Sequence, residues 1–133
     1  MSKKQDYLRA NQEFLIAKAQ EEGVKSLPKG ILYKVITEGT STTCPTLRSI
    51  VCVHYRGTLT NGREFDNSYD RGYPEAFRLS DLIVGWQIAL TQMHVGDHWM
   101  VYIPYEVGYG TRDNGPIPAY STLVFEVKLV AIM

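Results

Sequence analysis

The sequence has little that would staple, anchor or steer it. Only two of its 133 residues are cysteine, Cys44 and Cys52, too few for a disulfide framework. Cys52 lies in an apolar alternating run and reads as a buried small hydrophobe. No run approaches the ~20 apolar residues of a membrane span. The residues after Met1, SKKQDYLRANQEF, have neither the apolar stretch nor the cleavage site of a secretory leader. A cytoplasmic location is therefore expected, or a periplasmic or membrane-anchored one if a leader was trimmed. Lys and Arg together number 14, as do Asp and Glu, so no net field favours nucleic acid or an anionic membrane as partner. The one basic run, Lys3-Lys4, reads as a solvated end.

The usual signatures of catalysis are also missing. Among three histidines, His94 and His98 stand four apart, but Val-Gly-Asp between them reads as a turn, not as the helical pair of a zinc site. Cys52 and His54 alternate onto one face of a strand without the geometry of a nucleophile and base. There is no HExxH, no paired CxxC, no GxSxG and no Gly-rich loop followed by Lys-Ser or Lys-Thr. No metal and no cofactor is expected.

What is present has clear periodicity. Residues 5–22, QDYLRANQEFLIAKAQEE, lack Gly and Pro and place Tyr7, Leu8, Asn11, Phe14, Leu15, Lys18 and Ala19 on one stripe, with Gly23 set to end a helix. Such a helix needs a partner surface, either the following domain or a second copy of the chain as a homodimer. SLPKG reads as a linker, which divides the chain into a helix and linker over 1–29 and a domain over 30–133. Strands are expected in ILYKVITEG, RSIVCVHYRGTLT, HWMVYIP and STLVFEVKLVAIM. Asn61-Gly62 marks a hairpin into REFDN, because both residues tolerate φ > 0. DLIVGWQIALTQM suits a short helix, and YEVGYGTRDNGPIPAY is a long loop of the kind that carries function. The fold class is α+β: about five antiparallel strands, a curved sheet with one short helix across it and an extra helix at the N-terminus.

Six aromatics, Tyr55, Phe65, Phe77, Trp86, Tyr109 and Phe125, occur about once per element, each near a strand end, helix start or loop. Core packing accounts for them, and so does a lined pocket. The run VHYRGTLTNGREFDNS, followed in order by FRLSDLIVGWQIALTQMHVGD, IPYEVGYG and IPAYSTLVFEVKLV, closely resembles the FKBP-type peptidyl-prolyl cis-trans isomerases over residues 30 to 131. The segment EGVKSLPKGILYKVITEG is similar to the bacterial Mip-like subgroup, in which a helical segment precedes the isomerase domain.

The resemblance implies a twisted antiparallel sheet wrapped around a short helix, with a shallow apolar pocket between them. It implies catalytic roles for Tyr55, Asp66 and Tyr109, and substrate-binding roles for Phe65, Phe77, Leu82, Ile83, Trp86, Ile117 and Phe125. Tyr120 is a further aromatic expected beside substrate or as a loop anchor. In this reading the Ile117 N–H and the Tyr109 hydroxyl hold substrate carbonyls, and Asp66, oriented by Tyr55, stands by the twisted amide. The substrates are proline-containing polypeptides, and macrolides such as tacrolimus or rapamycin are candidate inhibitors. Glu75 stands where many members carry another aromatic, and the loop around Arg112, Asp113 and Asn114 is this chain's own. Two functions compete: an isomerase that assists folding, and a non-catalytic chaperone or adaptor that holds proline-containing segments. An acid placed beside apolar walls favours the first.

Overall fold

The computed structural model describes residues 2–133. Its first element is α1 (Lys3–Ala19), which begins two residues before the expected start. Ser2 and Gln5 form a reciprocal capping box: Ser2 Oγ accepts from the Gln5 N–H, and Gln5 Oε1 accepts from the Ser2 N–H. The helix ends at Ala19 rather than Glu22, and Gly23, at φ 84°, turns the chain four residues later.

The expected stripe is the face that packs. Tyr7, Leu8, Phe14 and Leu15 are half-buried, and Asn11 is 2% exposed. Asn11 ties the helix to the chain's far end. Its Oδ1 accepts from the Thr122 N–H at 2.8 Å, and its Nδ2 donates to the Tyr7 carbonyl at 2.8 Å. Truncating Asn11 leaves the buried Thr122 N–H without a partner, a defect worth about 1–3 kcal/mol. Asn11→Ala is therefore expected to lower the urea midpoint with an unchanged m-value; an unchanged midpoint would show that the helix docks without this bridge.

The sheet has the expected antiparallel strands and, with the short ones counted, seven where about five were expected: β1 (Val24–Ser26), β2 (Leu32–Thr37), β3 (Ile50–Thr58), β4 (Glu64–Asn67), β5 (Glu75–Arg78), β6 (His98–Ile103) and β7 (Leu123–Ile132). All strand pairings among the described residues are antiparallel, in the order β1-β2-β6-β7-β3-β4, with β5 also on β3. β1, β4 and β5 hold three or four residues each, too few alternations to stand out as strands. Part of the expected linker is thus sheet, since β1 pairs with β2 before the Pro28–Gly30 turn.

Inward residues of β3 (Val51, Val53, Tyr55), β6 (Trp99, Val101, Ile103) and β7 (Leu123, Phe125, Val127, Leu129) form one core with Trp86, Ala89 and Leu90 of the helix α3 (Val84–Leu90). A Cβ on Gly85 would lie 2.5 Å from Ile103, so glycine in the first turn of this helix permits its close approach to β6. Alternation sends Cys52 to the other face of β3 with His54, half-exposed rather than buried, and both cysteines are free thiols. No helix among the described residues is long and apolar enough to cross a membrane.

The edge of β3 away from β7 is shared. β5 pairs with residues 50–53, and β4 with residues 56–58. Between them the chain leaves the sheet through a one-turn helix, α2 (Ser68–Arg71). The ladder gap this opens is closed by Ser68, fully buried, whose Oγ accepts from the Tyr55 N–H at 2.7 Å. The β3–β4 hairpin uses Asn61-Gly62, but only Gly62 has φ > 0 (88°). Gly62 N–H bonds to the Leu59 carbonyl at 2.9 Å, a three-residue loop with a glycine bulge in place of a two-residue turn.

Candidate functional site

The split edge of β3 sets the site. β4 delivers Phe65 and Asp66, β5 delivers Phe77, β3 itself Tyr55, and β7 Phe125. Leu82 and Ile83 lead into α3, whose first turn carries Trp86, and the long loop brings Tyr109, Asn114, Pro116 and Ile117. Together they line a pocket of about 270 Å³.

Trp86 is its hub. It meets Tyr55 (5.2 Å, 87°), Phe77 (6.1 Å, 87°) and Phe125 (5.1 Å, 90°) edge to face, and Phe65 meets Phe125 likewise (5.5 Å, 89°). These T-shaped contacts suit the ring quadrupoles and hold the walls apart as a fixed cavity. Gly57, the one glycine inside β3, makes room for them. A Cβ there would lie 2.7 Å from ring atoms of both Phe65 and Phe125. An isolated glycine within a strong strand signals such an approach, so this residue was open to discovery from sequence.

Asp66 stands at the pocket edge in a net of donors. The Tyr55 hydroxyl donates to Asp66 Oδ2 in a short hydrogen bond. Arg71 Nη1 donates to Oδ1 at 2.8 Å and the Asn67 N–H to the same oxygen at 2.9 Å. Arg71 also donates from Nη2 to the Tyr55 hydroxyl at 3.2 Å and from Nε to Glu75 Oε1 at 2.6 Å. Glu75, the acid that replaces an aromatic, is thus held against a guanidinium rather than standing as a bare charge on the pocket wall. Arg71 was not among the expected site residues. Its part depends on α2 carrying it back over Tyr55, which no local pattern reveals.

Partial burial of Asp66 pushes its pKa up, but the hydrogen bonds from Tyr55 and Arg71 and the Arg71 charge outweigh this and hold it below the usual carboxylate range. Burial first, and the bond to Asp66 second, push the Tyr55 hydroxyl up to about 12. At neutral pH the pair is therefore a carboxylate with a phenol donating to it. A carboxyl with a depressed folded pKa stabilises the fold above its unfolded value of ~3.9, and that stability fades as pH falls through the folded value. Arg71→Met is expected to raise the Asp66 pKa toward or above ~3.9, read from the carboxyl carbon in an NMR titration. An unmoved titration would assign the shift to Tyr55 and Asn67 alone.

One expectation about the long loop needs correction, and one alternative is decided. The Ile117 N–H donates to the Asn114 carbonyl at 2.9 Å within the loop's own bridge, so it is not free for a ligand. Ile83 lines the same pocket, and no partner among the described residues takes its N–H. Of the two roles expected for Tyr120, the structure shows the loop anchor, since it is not part of the lining. In the left-handed region (φ 65°), it sets its ring edge-on against Tyr105 at 5.0 Å and anchors the loop. Asn114 and Pro116 line the pocket without having been expected there.

Comparison with known proteins places this geometry. Residues 41–130 match the family described as FKBP-type peptidyl-prolyl cis-trans isomerase. The chain is 45% identical over 121 residues to "FKBP-type peptidyl-prolyl cis-trans isomerase FkpA" of Aeromonas hydrophila, covering 91% of this chain and 45% of that protein. It is 42% identical over 120 residues to "Peptidyl-prolyl cis-trans isomerase Mip" of Coxiella burnetii, covering 90% and 52%. The chain thus spans about half the length of these curated relatives. Among solved structures, a peptidyl-prolyl cis-trans isomerase from Pseudomonas syringae superposes with a TM-score of 0.91 at 35% identity, covering 99% of this chain and 97% of that one. FkpA from Escherichia coli gives a TM-score of 0.91 at 39% identity, covering 96% and 60%.

Proposed function

The chain belongs to the FKBP-type peptidyl-prolyl cis-trans isomerases, and on that footing we propose that it accelerates rotation about Xaa-Pro bonds in polypeptides and so assists their folding. The barrier to that rotation is ~18–20 kcal/mol, and uncatalysed exchange takes tens to hundreds of seconds. Planarity rests on charge-separated resonance, which water supports by hydrogen-bonding the carbonyl oxygen. A pocket walled by aromatic rings withdraws that support.

Rate is gained because the twisted amide, less conjugated, is held better than either planar isomer. Trp86 is the floor on which the proline ring sits, with Tyr55, Phe65, Phe77 and Phe125 around it. Leu82 and Ile117 close its apolar rim. The Ile83 N–H and the Tyr109 hydroxyl hold carbonyls on either side of the bond. Asp66, fixed by Tyr55 and Arg71, stands by the rotating carbonyl and acts through its charge, with no proton transferred and no covalent intermediate.

The observation that carries this reading is the triply hydrogen-bonded Asp66 at the edge of an otherwise aromatic pocket. A protein that only held proline segments would need the walls and not the acid. The test is catalysis of the slow, proline-limited refolding phase of an unrelated protein. Sub-stoichiometric amounts are expected to shorten that phase several-fold, and tacrolimus or rapamycin, competing for the same walls, to abolish the effect. An unaltered slow phase would count against the proposal.

A further inference from the structure

Two features that seemed unrelated in the sequence meet in space. Lys3 and Lys4 open α1, and Arg112 lies in the long loop more than a hundred residues later. The fold sets them around one groove of about 600 Å³, lined by Lys3, Lys4, Tyr7, Thr111, Arg112, Asp113, Pro118 and Ala119. The groove is built rather than incidental. The Tyr7 hydroxyl and Ser121 Oγ bond at 2.7 Å and pin the start of α1 to the end of the loop. Lys4 Nζ lies 5.4 Å from the Tyr120 ring centroid, which keeps its ammonium over the loop.

The charges are mostly of one sign. Among the described residues, Lys3, Lys4 and Arg112 enter no ion pair. Asp113 is the single carboxylate of the lining, and its Oδ1 is occupied in accepting from the Ala119 N–H at 2.8 Å. All three cationic residues are exposed. Three cations against one carboxylate leave a local excess of positive charge in a chain whose formal charges balance overall.

Its position gives it a ligand. The loop that walls the prolyl pocket also walls the groove: Asn114, Pro116 and Ile117 face the pocket, while Thr111, Arg112, Asp113, Pro118 and Ala119 face the groove. Ile117 and Pro118 are neighbours, with Cα atoms ~3.8 Å apart, so the two sites lie back to back across one strand of loop. A polypeptide with its proline in the pocket needs only a few residues, at ~3.3 Å each, to pass over the loop. We propose that this groove is a substrate subsite for acidic residues a few positions away from the proline, so that acidic segments are the favoured substrates. The proposal rests on the isomerase reading and deepens it. Nucleic acid and anionic membranes share the negative charge, but neither explains why the patch adjoins the aromatic pocket proposed to take the proline.

Short peptides with one Leu-Pro bond, carrying Glu or Gln a few residues before or after it, provide the test. Exchange catalysis and NMR-detected binding are measured together, for the wild type and for Lys3→Gln, Lys4→Gln, Arg112→Gln combined. The Glu peptide is expected to be favoured about five- to tenfold at low salt, since exposed pairs are individually weak. That preference is expected to fall below about twofold near 0.5 M salt and in the triple variant. The Gln peptide, handled equally by both proteins, reports that the variant is folded.

Equal handling of Glu and Gln peptides by the wild type would overturn the subsite, as would a preference that survives in the variant. Binding of anionic vesicles or single-stranded DNA as tight as that of the Glu peptide would overturn it too. If neither peptide is accelerated, the isomerase reading fails separately, and the Glu-over-Gln binding ratio still decides the groove.

Discussion

Replacing Asp66 with alanine is expected to lower kcat/KM toward a Leu-Pro peptide by roughly tenfold or more, the equivalent of ~1.4 kcal/mol of transition-state stabilisation. The carboxylate does two things that alanine cannot. In the proposed mechanism it places negative charge where the rotating carbonyl turns out of conjugation, and it is the acceptor that fixes the Tyr55 hydroxyl and one arm of Arg71. Asp66→Asn separates these roles, because the amide keeps an acceptor for Tyr55 but carries no charge. If charge is what counts, the Asn variant should fall nearly as far as the Ala variant. If orientation of Tyr55 is what counts, it should stay near the wild type. Wild-type activity is also expected to show no limb from Asp66 between about pH 5 and 8, because its depressed pKa keeps it ionised there. Full activity in Asp66→Ala would remove the acid from the mechanism.

The second large effect is steric. Gly57→Ala puts a methyl group 2.7 Å from ring carbons of Phe65 and Phe125, closer than unbonded carbons come without displacement. Neither ring yields freely, since Phe65 and Phe125 abut each other and Phe125 abuts Trp86. Overpacking of this kind costs about 1–3 kcal/mol, seen as a lower urea midpoint. The walls would also spread, so peptide affinity should fall further than folding stability alone explains, with KM rising in protein that remains folded. Wild-type stability and affinity in this variant would mean that the two rings have room to move and are not a fixed cavity.

How much of this could be read in the chain depends on the length of each signal. β3 alternates over nine residues, so the strand itself was plain, but Cys52 was assigned to the core when its neighbours Val51 and Val53 are the inward pair. Phe65 and Asp66 were assigned to the pocket by the family resemblance of the VHYRGTLTNGREFDNS run, since the spacing of the aromatics alone suits a core as well as a pocket. α1 announced its buried stripe, although Ser2 and Gln5 moved its start. β5, by contrast, offers only Glu75, Ala76, Phe77 and Arg78, and its pairing is decided by β3.

Arg71 and Ser68 were hidden for a different reason. Each acts on Tyr55 from a one-turn helix whose path is set by the break in the ladder, so the contact exists only in three dimensions. The loop misled for a third reason: its backbone bonds to itself at Asn114 and Ile117, which uses the donor that the family resemblance had assigned to substrate. Tyr120, turned by a positive φ, faces Tyr105 instead of the pocket. Lys3, Lys4 and Arg112 could not be joined by any local pattern.

The most direct test follows the peptide and the pocket in one sample. Exchange spectroscopy on a Leu-Pro peptide reports cis-trans interconversion, while the indole N–H of Trp86 reports occupancy of the pocket floor. Exchange far faster than in buffer is expected at sub-stoichiometric protein, together with a Trp86 shift that saturates with peptide. A saturating Trp86 shift with exchange no faster than in buffer would contradict the isomerase reading, leaving a pocket that holds proline without turning it.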